Sequence, residues 1–284
     1  IVFKERRKMS FCKYYFRSKV LKMDTSITVT IPSYYSPYTD QTQNLDQIYE
    51  SRKFPTVYLM HGGGGDDTNW LRRTRLELYA DEAGMMTVAA NLEESFCCDM
   101  KHGRQYFTFI TEELPRLVQT LFPSSPKRED NFVCGFSMGA HCAMKIALRC
   151  PEKYAAVMAM SGAKDMVKMD QLARARGITA SNDIIEDSFG PMDQIYGSEN
   201  DLLDLAARLA ASDRPRPRIY HSCGLEDYGC GLCREYSEYL TSLGLVNTFF
   251  SPHGRHEWYY VDEMLKKTLH ELFPAGKGGA EAGK

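Results

Sequence analysis

Ser137 stands in Gly135-Phe136-Ser137-Met138-Gly139, Asp227 in Gly224-Leu225-Glu226-Asp227, and His256 in Gly254-Arg255-His256-Glu257-Trp258. A serine hydroxyl is a poor nucleophile at neutral pH. It attacks a carbonyl carbon when a base, usually histidine, takes its proton, and that histidine needs a carboxylate to hold its tautomer. The three residues follow in the order serine, acid, histidine, one of the chain orders in which this chemistry is found. Two positions carry competitors: Glu226 beside Asp227, and His253 in Ser251-Pro252-His253. The glycines around Ser137 suit a strand that reverses sharply into a helix, where a Cβ would collide with neighbouring backbone. Such a turn holds the hydroxyl outside the sheet and aims the next N–H, that of Met138, at the same space.

Other reactive residues have blander readings. His102, His141, His221 and His270 show no paired ligand spacing, and His61 reads as a brace for the glycine run Gly62 to Gly65 that follows it. Cys230-x-x-Cys233 lacks the second pair of ligands that a zinc site needs, so no metal is expected. The glycine run has no following Gly-Lys-Ser/Thr, which argues against a phosphate cradle and for an oxyanion hole, and no cofactor is expected.

These residues have to be placed by elements whose pattern is alternating. Buried-type strands are expected at Thr56–Met60, Met86–Ala90, Phe132–Cys134, Ala155–Met160, Arg218–His221 and Val246–Phe250. Amphipathic helices are expected over Asn69–Ala83, Phe107–Phe122 with a kink at Pro115, Met138–Cys150, Cys230–Leu243 and Glu257–Phe273. Alternation of this kind implies a mostly parallel sheet covered on both faces, with reactive groups gathered beyond the carboxyl ends of its strands. Ser137, Asp227 and His256 each follow such a strand. A hairpin of Tyr14–Leu21 and Ser26–Ile31 precedes them, and Pro32 to Lys53 reads as a polar loop.

One domain spans residues 9–274, with residues 1–8 an extension and 275–284 a small, polar, disordered tail. Residues 164–214 interrupt the rhythm with helical pieces. Inserted after a strand whose carboxyl end faces the serine, they are expected to form a partial cap over it. Met166, Met169, Leu172, Ile184, Ile185, Phe189 and Ile195 would wall the pocket, with Trp70 and Trp258 as its rigid aromatic side and Gly62 as a further substrate contact.

Composition narrows the partners. The formal net charge of −2 offers no attraction to nucleic acid or an anionic membrane. No apolar run reaches the roughly 18–20 residues of a membrane span, and the basic start lacks a signal-peptide core, which points to the cytoplasm. Nine cysteines, odd in number and scattered, suit buried reduced thiols better than a disulfide framework.

With His61-Gly62-Gly63-Gly64-Gly65 followed by Asn69-Trp70, and the three motifs around Ser137, Asp227 and His256, the chain resembles the esterase D-like group of α/β-hydrolases, including tributyrin, acetyl and feruloyl esterases, over roughly Met9 to Phe273. The resemblance implies an α/β-hydrolase fold with Ser137 as nucleophile, Asp227 as acid, His256 as base, and the N–H groups of Gly63 and Met138 as the oxyanion hole. It implies a carboxylesterase acting on small acyl (acetyl to butyryl) or aryl esters. Acetyl or feruloyl groups on plant-wall oligosaccharides, S-formylglutathione, acyl transfer to an alcohol, and a catalytically silent binding protein are the alternatives. Self-association is left open.

Overall fold

The computed structural model describes residues 9–32, 46, 52–177 and 182–273. The expected extension at 1–8, the tail at 275–284 and most of the polar loop before Lys53 lie outside the described residues.

Eight strands form one sheet in the order β1-β2-β4-β3-β5-β6-β7-β8. They are β1 (Met9–Ser18), β2 (Met23–Pro32), β3 (Thr56–Met60), β4 (Met86–Ala90), β5 (Asn131–Phe136), β6 (Ala156–Met160), β7 (Arg218–Ser222) and β8 (Asn247–Phe250). The first two pair antiparallel, and β2 joins β4 antiparallel. The remaining pairings are parallel. Alternate side chains feed two cores, as a strand's period of two requires. Tyr58, Met60, Val133, Val157 and Ala159 enter one, while Val57, Leu59, Phe132, Cys134, Met158 and Met160 enter the other. The first core is closed by α3 (Tyr106–Thr108), α4 (Leu114–Leu121), α5 (Met138–Arg149), α8 (Leu202–Ala210) and α9 (Cys230–Ser242). The second lies under α1 (Asn69–Arg73), α2 (Leu76–Ala83) and α10 (Trp258–Leu272). Between β6 and β7 stand α6 (Met166–Ala175) and α7 (Asn182–Phe189), the latter a stretch whose sequence reads as polar linker.

Three local expectations need correction. The single helix over Asn69–Ala83 is two, because Thr74 Oγ1 donates to Trp70 O at 2.6 Å and accepts from Leu76 N at 3.2 Å, ending one helix and starting the next. Around Pro115, where a kink is expected, the helix changes type. The chain widens into a π-helical segment at Phe109–Glu113, and the Thr111 carbonyl, four residues before the proline that cannot donate to it, accepts from Lys153 Nζ at 2.8 Å. The hairpin turn falls at 19–22 rather than 22–25, because Glu113 receives Ser18 Oγ at 2.6 Å, Lys19 N at 2.7 Å and Val20 N at 3.1 Å.

Two buried carboxylates tie the layers together. Asp67, 2% exposed, accepts from Lys13 Nζ at 2.5 Å and Thr28 Oγ1 at 2.9 Å, which joins the hairpin to the segment that follows the glycine run. Asp262 on α10 accepts from Arg75 N at 2.7 Å and Tyr79 OH at 3.0 Å. Among the described residues no helix is long and apolar enough to cross a membrane.

Burial raises the Asp262 carboxyl, but the bonds from Arg75 and Tyr79 outweigh it and hold its pKa below the ordinary 3.8. A depressed folded pKa contributes stability that is complete above the unfolded value and lost as pH falls through the folded one. Asp262→Asn is therefore expected to cost about 1–3 kcal/mol at pH 7, the worth of hydrogen bonds to a charged group. Urea melts should show the gap between variant and parent closing as pH drops below about 4; a gap constant down to acid pH would refute the assignment.

Candidate active site

The order β4-β3-β5 means that the chain leaves β3 toward one side of the sheet and returns to pair β5 on the other. Loops departing the carboxyl ends of β3 and β5 diverge there and leave a crevice. The glycine run follows β3 and Ser137 follows β5, so both empty into it.

Ser137 adopts φ 56° and ψ −119°, a region that a non-glycine residue occupies only at a cost of about 1–3 kcal/mol. What imposes it is the close approach of α5 to the sheet. A Cβ on Gly135 would lie 1.9 Å from Gly139 O, and one on Gly139 would lie 2.1 Å from Met60 O. Both glycines are therefore required by backbone contact, as the sequence pattern implies. The hydroxyl stands at the N-terminus of α5, whose helix direction places partial positive charge toward it.

Asp227 lies in the loop after β7 and His256 in the loop after β8. Gly224 lets the two loops touch, since a Cβ there would sit 2.0 Å from Gly254 O, and Leu225 N and Glu226 N donate to Pro252 O and Gly254 O at 2.9 and 3.1 Å. His256 Nε2 then lies 2.9 Å from Ser137 Oγ, and His256 Nδ1 lies 2.8 Å from Asp227 Oδ2. With Nδ1–H donating to the carboxylate, Nε2 is the free lone pair facing the hydroxyl. Asp227 also accepts from Gly229 N at 3.0 Å. Burial raises its carboxyl, and the bonds from His256 and Gly229 more than offset that and keep it below the ordinary carboxylate range.

The competitors form a separate pair. Glu226 Oε1 meets His253 Nδ1 at 2.7 Å, and Oε2 accepts from Gly254 N at 2.6 Å. The His253 side chain is 87% exposed, and the structure gives it no contact with Ser137. This surface clasp steadies the turn between β8 and His256.

The two N–H groups expected to face an oxyanion, Gly63 and Met138, donate to no group among the described residues. Gly62 packs beside the nucleophile, its missing Cβ 3.4 Å from Ser137 Cβ. His61 braces the run as expected: buried, it donates from Nδ1 to Gly62 O at 2.7 Å and accepts Leu92 N on Nε2 at 2.9 Å. Burial lowers its pKa and keeps it neutral. Glu94, which the sequence reading passed over, accepts from Gly64 N and stands at the mouth beside Gly63. Its signal was its place in the loop after β4.

A cavity of ≈ 260 Å³ opens from Ser137 and His256. Met166, Met169, Ile184 and Ile185 line it, with Phe96, His141 and Tyr228. The aromatic wall expected of Trp70 and Trp258 is not there. Trp70 is fully buried against Trp258, the rings edge to face at 5.4 Å, and Trp258 backs Phe136, which in turn packs on the His256 ring at 4.9 Å. The two tryptophans hold the base from behind. Leu172, Phe189, Ile195 and Gly62 are likewise absent from the cavity wall. Among the described residues no group of three or more His, Cys, Asp or Glu is placed to hold a metal ion.

The chain is similar to known esterases and serine hydrolases. The sequence profile of the family described as Putative esterase matches residues 18–238. The chain is 26% identical to an acetyl esterase of Caldicellulosiruptor saccharolyticus over 259 residues, covering 90% of this chain and 96% of that one. It is 29% identical to S-formylglutathione hydrolase of Rattus norvegicus over 135 residues, 39% of this chain and 47% of the relative. Among solved structures, FphF, a fluorophosphonate-binding serine hydrolase of Staphylococcus aureus, superposes with a TM-score of 0.81 at 25% identity, covering 94% of this chain and 99% of that one.

The two acidic neighbours separate by mutation. Asp227→Asn is expected to lower kcat by about 10⁴-fold through loss of the correct histidine tautomer. Glu226→Gln, which keeps the turn, should change kcat by less than about 10-fold. Turnover of a short acyl ester by the two folded variants decides it, and a larger loss at Glu226 would reverse the assignment.

Proposed function

The chain belongs to the Putative esterase family and is a serine carboxylesterase, and from that premise we propose that Ser137, Asp227 and His256 are its catalytic triad and that it hydrolyses small acyl esters. The observation that carries the reading is the unbroken line of hydrogen bonds from Ser137 Oγ through His256 to Asp227, at 2.9 and 2.8 Å.

In this mechanism His256 Nε2 takes the hydroxyl proton as Ser137 Oγ attacks the ester carbonyl. The carbonyl oxygen becomes an oxyanion facing Gly63 N–H and Met138 N–H, and Asp227 stabilises the imidazolium. His256 then protonates the departing alcohol, leaving an acyl group on Ser137. Water, deprotonated by the same histidine, attacks that acyl-enzyme, and the acid leaves as Ser137 regains its proton. The strained turn keeps the nucleophile exposed without an ordering step on substrate binding.

Short acyl chains are favoured by the size and lining of the cavity. Met166, Met169, Ile184 and Ile185 come from residues 164–214, which in this reading act as a partial cap limiting chain length. The full-length similarity to an acetyl esterase supports the same substrate class.

Ser137→Ala should reduce ester hydrolysis by about 10⁴-fold or more while leaving the melting transition in place. Ile184→Ala and Ile185→Ala should move the preference from acetyl and butyryl toward longer acyl esters with little loss on acetyl. A nitrophenyl ester series of increasing chain length reads both. Retained activity in Ser137→Ala would remove the nucleophile, and an unchanged chain-length profile would remove the cap.

A further inference from the structure

Cys230-x-x-Cys233 is not absorbed by ester hydrolysis, and the structure pairs its second member elsewhere. Cys230 Sγ turns to Ser251 Oγ at 3.2 Å. Cys233, near the start of α9, packs in one buried cluster with Cys230 and with Cys223, the residue directly after β7 that leads into the loop carrying Asp227. Both sulfurs belong to side chains about 1% exposed, yet both border the Ser137 cavity. Cys233 Sγ also lies 3.5 Å from Gly162 O, beneath the nucleophile's turn.

A second observation sets this pair apart from an inert pair of buried thiols. Lys164, 2% exposed, has its Nζ buried with no hydrogen-bond partner among the described residues, and it interacts electrostatically with both Cys233 and Cys223. Burial lowers the Lys164 pKa and the two cysteines oppose that, so its charged form and an anion beside it favour one another. The interaction with Cys223 and the nearby Lys164 hold the Cys233 thiol below its ordinary range against burial and the Asp227 carboxylate, while Cys223 is pushed up by its neighbour Cys233 and by burial. The contrast within the same molecule is Cys97 and Cys142, which share one core but are fully buried and are absent from the cavity wall.

We propose that Cys233 and Cys223 form a peroxide-responsive thiol pair in the wall of the Ser137 cavity, and that its closure to a disulfide displaces the Asp227 loop and slows ester hydrolysis. The Cys233 thiolate attacks one oxygen of hydrogen peroxide, the O–O bond breaks, and Cys233 becomes a sulfenic acid with hydroxide released. The Cys223 sulfur then attacks the sulfenic sulfur, the S–O bond breaks, and the thiol proton leaves with that oxygen as water. The proton that Cys233 released on becoming the thiolate neutralises the hydroxide, so two thiols and one peroxide give one disulfide and two waters. A dithiol reductant reverses the change. Two packed thiols have to draw closer to bond. The atom that moves most readily belongs to the loop end at Cys223, four residues before Asp227, since Cys233 is held in a helix.

The covalent part is independent of the function proposed above, and the effect on turnover rests on it. Reduced protein is treated with hydrogen peroxide, denatured, alkylated and mapped by peptide mass spectrometry. The expected product is a Cys223–Cys233 disulfide with Cys97 and Cys142 still alkylated. Cys223→Ser should leave Cys233 as a sulfenic acid trapped by dimedone, and Lys164→Met should slow oxidation by about 10-fold through a weaker thiolate. In parallel, peroxide should lower turnover of a short ester by about 10- to 100-fold, as a misplaced catalytic group does. Dithiothreitol should restore it, and Cys233→Ser, compared with its own untreated sample, should lose the response. Free thiols after treatment, or a cross-link between other cysteines, overturn the pair. A mapped disulfide with unchanged turnover overturns its link to Asp227, and because mapping needs no activity, failure of the esterase reading would show separately.

Discussion

The carbonyl of Met60 would sit 2.1 Å from any Cβ at residue 139, and most of the site descends from that approach. A helix start pressed against the end of β3 leaves no room for a gradual turn out of β5. The backbone of Ser137 is forced to positive φ, its side chain is lifted clear of the sheet, and the start of the helix is brought against the glycine run. The strain is held because α5 is buried along almost its whole length, from Met138 through Leu148. Relaxing the turn would mean withdrawing that helix from the core, at a cost far above the few kcal/mol that the turn stores.

The other half of the site depends on a weaker contrivance. Asp227 and His256 reach the serine from two loops of an edge-ward pair of strands, where little core packing reaches. Backbone contact at Gly224, the clasp of Glu226 on His253 and Gly254, and the Phe136-Trp258-Trp70 stack behind the imidazole together confine what would otherwise be mobile. A residue rejected as the acid thus has a use. Glu226 shapes the loop so that its neighbour can meet His256.

Much of this was readable from residue order. Buried parallel strands announce themselves as short continuous apolar runs, and Ser137, Asp227 and His256 each follow one, so the sheet's ends and the residues gathered there were legible together. Asp227 could not be told from Glu226 by position alone, because the choice depends on which carboxylate faces inward when two loops touch. Trp70 and Trp258 misled for a related reason: large aromatics near a site serve equally to line it or to back it, and sequence spacing does not say which side of Phe136 they occupy. A helix boundary was missed where a side chain intervened, at Thr74, and the change of helix type before Pro115 depends on Lys153 from a distant segment. Helix α7 has few apolar residues and was hidden as linker, although its Ile185 is buried against the cavity.

The buried carboxylate of Asp67 bears on where this enzyme begins. The family profile starts at residue 18, so β1 falls almost wholly before it. Yet Lys13, in β1, holds Asp67 at 2.5 Å, and Asp67 follows directly on the glycine run and Asp66. A protein trimmed to the profile's first residue would retain every catalytic candidate and strip a nearly inaccessible anion of its counter-ion, a loss of about 3–5 kcal/mol. The edge thus exposed would be β2, a strand whose interior is buried from Thr25 to Thr30. The profile, which also ends before His256, marks shared sequence, whereas the Lys13–Asp67 pair makes β1 part of the same folded unit.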